Sequence, residues 1–129
     1  MMLELLENQL LVTKFYVPVA PGPLILRPRL TALLDKSLER PFTLVSAPAG
    51  FGKTTLLSAW QQSREAPKPL VAWVSLDEED NQPKIFWTYV LTALKIQQPD
   101  RFTPLLMQLQ SPQAPPLKYI LAELINLLA

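Results

Sequence analysis

The chain contains no cysteine and no histidine. Disulfides, thiolate nucleophiles and zinc sites built from Cys and His are therefore excluded. Serine-triad hydrolysis is excluded too, because its general base is missing. A bound metal would have to be held by oxygen, which suits hard cations such as Mg²⁺. Charge of one sign is not in excess. The 12 basic and 11 acidic side chains leave a net charge of +1, far from the basic stripe that binds nucleic acid by charge. No apolar run is long enough to span a bilayer, and the opening Met1-Met2-Leu3-Glu4-Leu5-Leu6-Glu7 lacks the cationic start of a signal peptide. The expectation is a cytoplasmic protein with no membrane partner. What is present is a globular composition, 49 % hydrophobic and 18 % charged, which points to a packed core rather than disorder. The 129 residues give room for one domain or a piece of one.

Along the chain, residues 3–12 form a short helical pattern. Pro18, Pro21, Gly22 and Pro23 make the next stretch extended and irregular. Arg27-Pro28-Arg29 opens a helix in which Leu30, Leu33, Leu34 and Leu38 recur at helical spacing, until Pro41. Phe42-Thr43-Leu44-Val45-Ser46 reads as a buried strand, followed by a loop at residues 47–52. A helix runs from Lys53 to about Ser63. Residues 70–76, rich in Leu, Val and Trp, read as a second buried strand. A further helix then starts with Asp80 or Asn81 as N-cap and Pro83 in its first turn. Its inner face is expected at Ile85, Phe86, Tyr89, Ala93 and Leu94. Residues 97–116, polar and proline-rich, read as loop with one short helix around residues 105–109, and a final helix covers residues 117–128. Helices alternating with two strands imply α/β wiring with parallel strands.

The residues Ala47-Pro48-Ala49-Gly50-Phe51-Gly52-Lys53-Thr54 fit the Walker A phosphate-binding loop, with Ala where the strict motif begins with Gly. Such a loop must curl so that consecutive backbone N–H groups point at an anion. Gly50 and Gly52 can adopt the backbone angles this requires and let a phosphate approach closely. The helix that follows presents unpaired N–H groups and the positive end of its dipole. Lys53 is expected to reach the β- and γ-phosphates of ATP or ADP, and the Thr54 hydroxyl to ligate Mg²⁺. Thr55, one residue further on, is either part of this cradle or a packing and capping residue.

Val71-Ala72-Trp73-Val74-Ser75-Leu76-Asp77-Glu78 offers a second motif. An apolar run ending in Asp-Glu has the form of a Walker B segment, with Asp77 holding the Mg²⁺ water shell and Glu78 orienting an attacking water. The plainer reading of the acidic run is a helix cap and solvated loop charges.

The order of motifs is distinctive. Thr13-Lys14, Arg27-Pro28-Arg29-Leu30, Ser46-Ala47-Pro48-Ala49-Gly50-Phe51-Gly52-Lys53-Thr54-Thr55, Trp73-Val74-Ser75-Leu76-Asp77-Glu78-Glu79-Asp80-Asn81 and Phe86-Trp87 follow one another along the chain. This series resembles the N-terminal part of MalT-like, LuxR-family ATP-dependent transcriptional regulators, which belong to the STAND class of signalling ATPases. The resemblance implies ATP or ADP with Mg²⁺ as cofactors, and makes Leu26, Arg27 and Pro28 candidates for contacts to the adenine. Arg27 as a simple helix cap stands beside that reading. In the family, the true Walker B is an apolar strand ending in Asp-Asp that follows a helix like residues 117–128. The resemblance therefore implies an α/β fold: a partial P-loop NTPase domain, with parallel strands flanked by helices, truncated before the Walker B strand. Residues 1–26 lead in and residues 27–129 form the N-terminal part of the domain. DNA binding through a C-terminal helix-turn-helix, and self-association, belong to the full-length family and are not expected in this chain, nor is ATP turnover. Two other readings remain: a small P-loop kinase or hydrolase using Asp77 and Glu78, and a truncated remnant without activity.

Overall fold

A computed structural model describes residues 10–19, 27–50, 52–65 and 69–129. The described residues form five α-helices: α1 (Pro28–Ser37), α2 (Lys53–Ser63), α3 (Pro83–Gln97), α4 (Pro99–Gln110) and α5 (Leu117–Leu128). Two short 3₁₀ turns, Val12–Phe15 and Glu78–Asp80, complete the regular structure among the described residues. The chain divides into two compact units. One joins the described part of Met1–Tyr16 to Leu70–Ala129, and the other is Val17–Pro69.

The first unit holds the main core. Leu91 of α3 meets Phe102, Leu105, Leu106 and Leu109 of α4 and Ile120 and Leu124 of α5, all at most 5 % exposed. Each such side chain contributes about 1.5–3 kcal/mol by leaving water. The α4 residues fall at helical spacing and put one apolar stripe between its two neighbours. Polar contacts fix the same packing. The Gln110 amide donates to the Thr88 hydroxyl at 2.5 Å, while Thr88 and Thr92 return their hydroxyl protons to the carbonyls of Lys84 and Thr88, each at 2.6 Å. The Arg101 guanidinium donates to the Leu127 carbonyl, placing a cation at the negative end of α5.

The second unit is smaller. Among its described residues, Leu34 of α1 and Ser58 and Ala59 of α2 are buried. Asp35 ties the two helices together: it accepts from the Trp60 indole at 2.8 Å and from Arg64 at 2.5 Å. The Arg64 guanidinium also lies over the Trp60 ring, 5.2 Å from its centroid.

The structure overturns the α/β reading. No strand forms among the described residues, and so there is no parallel sheet. Residues 42–46 and 70–76 have the right side chains for strands but no partner to pair with. Phe42 and Leu44 are 78 % and 75 % exposed, and Leu70 is 65 % exposed. A β-rich run becomes a strand only when a neighbour takes its N–H and C=O groups. Among the described residues, the one such backbone bond from these runs goes from Ser75 N–H to the Lys14 carbonyl, 2.8 Å.

The helices follow the sequence more closely. Both α2 and α5 have the bounds expected, and α1 starts at Pro28, in the first-turn position proline favours. Of its expected stripe only Leu34 is buried, with Leu33 and Leu38 about half exposed. The N-cap of α3 is Gln82, not Asp80 or Asn81. Its buried face includes Tyr89 and Ala93 but centres on Leu91, with Thr88 and Thr92 flanking, and Ile85 is exposed. The helix at residues 3–12 lies mostly outside the described residues. Residues 97–116, expected to be mainly loop, contain the full three-turn α4.

Candidate functional site

The candidate phosphate loop lies in the Val17–Pro69 unit. Gly50 and Gly52 both have positive φ, +87° and +79°. These are the only positive-φ residues among those described. A Cβ built on either glycine would meet no atom within 4 Å. The glycines are therefore required by the turn's handedness, not by a crowded neighbour.

Gly52 is the N-cap of α2, in the left-handed conformation with ψ of 25°. Having no side chain, it offers no cap to the helix, whose first internal bond runs from Leu56 N–H to the Gly52 carbonyl at 2.8 Å. An α-helix leaves its first N–H groups without an internal acceptor, and here these belong to Lys53, Thr54 and Thr55. The end of α2 thus carries the positive dipole end and unpaired donors. No acidic residue stands in its first turn to oppose an anion.

Lys53 is folded back across the loop, and its ammonium donates to the Ala47 carbonyl. This brings together the first and seventh positions of the motif. Thr54 and Thr55 are exposed at the head of α2, while Pro48, Ala49, Gly50 and Gly52 are exposed along the loop. Phe51 and Leu26 lie outside the described residues. Arg27 occupies the N-cap of α1 but makes no side-chain capping bond. Its carbonyl accepts from Thr31 N–H at 2.9 Å, and Pro28 follows at the first helical position.

The second candidate motif is put to another use. Asp77 accepts from Glu79 N–H at 2.9 Å, and Asp80 accepts from Asp77 N–H at 3.0 Å, closing a reciprocal capping box around the Glu78–Asp80 turn. Between these carboxylates sits Lys14, a residue sequence reasoning noted but did not pair. Its ammonium lies 2.5 Å from Asp80 Oδ2 and 3.0 Å from Asp77 Oδ2, with Lys14 8 % and Asp80 4 % exposed. Lys14 also stands over the Tyr89 ring, 4.8 Å from its centroid. The bond to Lys14 holds the Asp80 carboxyl below its ordinary range, with help from Asp77 N–H. Asp80 in turn raises the Lys14 ammonium above its ordinary value, against the opposing effect of burial. Among the described residues no cluster of three or more carboxylates could hold a metal. A recess of about 520 Å³ opens beside Lys14, Asp80 and Tyr89, but none of the candidate phosphate-loop residues lines it. No described helix is long and apolar enough to cross a membrane.

Comparison with known proteins gives a consistent set of relatives. The chain is similar to the HTH-type transcriptional regulator MalT of Serratia proteamaculans, at 41 % identity over 87 residues, which is 67 % of this chain and 9 % of that protein. The MalT of Cronobacter sakazakii is 40 % identical over 86 residues. The serine/threonine-protein kinase PknK of Mycobacterium tuberculosis is 35 % identical over 83 residues, or 64 % of this chain and 8 % of that protein. The chain thus spans under a tenth of the length of these curated relatives. No family model matches it. No solved structure matches it either.

Proposed function

We propose, starting from the similarity to MalT regulators, that this chain is a nucleotide-binding segment of a regulator of that kind, and that it binds ATP or ADP with Mg²⁺ through residues 47–54. The observation that carries the reading is the pair of left-handed glycines leading into an uncapped helix with Lys53 at its first position. In this arrangement the Lys53 ammonium exchanges the Ala47 carbonyl for phosphate oxygens. The free N–H groups at the start of α2 receive the anion, and the Thr54 hydroxyl is the ligand offered to Mg²⁺. Thr55 extends the same face, and Arg27 and Pro28 are assigned to the base. Regulation of transcription and contact with DNA are parts of the proposal that concern the whole regulator. The near-neutral charge of this chain assigns it the nucleotide, not the duplex.

The kinase or hydrolase reading draws no support from Asp77, whose carboxylate is engaged by Glu79 N–H and Lys14. Mg²⁺–ATP at a hundredfold excess over its Kd should stabilise the chain by about 2.7 kcal/mol. Lys53→Ala should abolish most of that gain in a thermal-shift titration. An equal shift in both proteins would sink the phosphate-loop reading.

A further inference from the structure

Residues 10–16 lie on the α3–α5 unit as an attached peptide rather than as part of its core. None of them belongs to the buried cluster around Leu91. Leu11 and Val12 are 56 % and 52 % exposed. A few contacts spaced along the segment hold it. The Lys14 ammonium is buried between Asp80 and Asp77, at 2.5 and 3.0 Å. The next residue, Phe15, packs on Tyr89 of α3, with ring centroids 5.7 Å apart. The backbone is joined at two points. Leu11 N–H donates to the Tyr89 hydroxyl at 3.2 Å, and the Lys14 carbonyl accepts from Ser75 N–H at 2.8 Å.

We propose that Asp77, Asp80, Tyr89 and Ser75 form a recognition site for a lysine–aromatic peptide, held here by the chain's own residues 11–15 and able to take the same segment from a second copy of this chain. The receiving side is arranged by bonds of its own. Asp80 Oδ2 accepts from Asp77 N–H at 3.0 Å and Asp77 Oδ1 from Glu79 N–H at 2.9 Å, and neither bond involves the segment. Losing the ammonium would leave the buried Asp80 carboxylate unpaired, so the site demands a cation. The segment's partners Asp80 and Tyr89 lie 66 and 78 positions along the chain from the residues they hold. The intervening chain passes through the separate Val17–Pro69 unit. The covalent link is therefore a tether and not a turn that forms the contacts, and a segment of the same sequence on another molecule offers the same donors and acceptors. Its departure leaves the Leu91 cluster closed. The inference does not depend on nucleotide binding.

Complementary full-length variants test it. Lys14→Ala keeps the two carboxylates but lacks the lysine, and Asp80→Asn keeps the lysine but damages its receptor. Mixed together, they should form a heterodimer in analytical ultracentrifugation beyond any self-association of either alone. A synthetic peptide of residues 10–16 should bind the Lys14→Ala chain at least about tenfold more tightly than the same peptide with norleucine in place of Lys14, since burying one charge without the other is costly. It should also bind wild type less well, because the tethered segment competes at an effective concentration on the order of millimolar. A mixture no heavier than its components, or equal binding of the two peptides, would overturn the proposal. Should Lys14→Ala not fold alone, the lysine peptide should restore a cooperative thermal transition, and failure to do so refutes the site.

Discussion

At the scale of single residues, the glycines and the ion pair make separable demands. Gly52 is left-handed in open space, so Gly52→Ala meets no steric neighbour and costs only what the backbone imposes. That should be about 1 kcal/mol in urea denaturation, and Gly52→Asn should cost less. Equal stability of the glycine and alanine proteins would show that the left-handed turn is not held in solution. The Lys14–Asp80 pair predicts a pH profile. Asp80 titrates below its ordinary 3.8 when folded, so its contribution is present above that value and is lost as pH falls through the depressed one. Lys14 titrates above its ordinary 10.5, so its contribution is present below that value and is lost only as pH rises through the raised one. Thermal melts of the native chain should therefore fall more steeply below pH 3.8 than those of Asp80→Asn, and parallel curves would contradict the pairing. The left-handed turn at Gly50 and Gly52 was legible in the sequence, because a glycine turn is a local object whose spacing is its geometry. The partner of Lys14 was not, because it lies 66 residues away and only the fold brings it near.

At the scale of elements, local signals located α2 and α5, since a glycine loop opens one and prolines precede the other. The α4 helix was hidden by Pro99 and Pro104, which read as loop punctuation. Pro99 is harmless at the first helical position. Pro104 lies inside the helix and removes an internal hydrogen bond, and the helix survives through the stripe of Phe102, Leu105, Leu106 and Leu109 buried between α3 and α5. Pro104 is exposed, so Pro104→Ala should restore that bond without disturbing the stripe. The expected gain is about 2 kcal/mol by thermal denaturation, after allowing for the freer unfolded chain. A loss of stability would mean that the proline bend is part of the packing. The two expected strands failed for the opposite reason. Their composition is correct, but strand formation is a property of pairs, and composition says nothing about whether a partner is present.

At the scale of the whole molecule, burial is unevenly shared. The α3–α5 unit owns the seven-residue apolar cluster, whereas the described part of Val17–Pro69 buries Leu34, Ala59 and Ser58. Local stability follows buried contacts. In native-state hydrogen exchange, amides around Leu106 and Ile120 should open only with global unfolding, and those of α1 should open at far lower free energy. A uniform protection profile would refute this division. The separation of Lys14 from Asp80 also has a meaning in time. Synthesis adds about 5–20 residues per second, so Lys14 is made roughly 3–13 s before its anion. The whole Val17–Pro69 stretch is translated within that interval. On the ribosome, the Val17–Pro69 stretch is thus complete before the Lys14 ion pair can close, and that fastening waits on the arrival of Asp80.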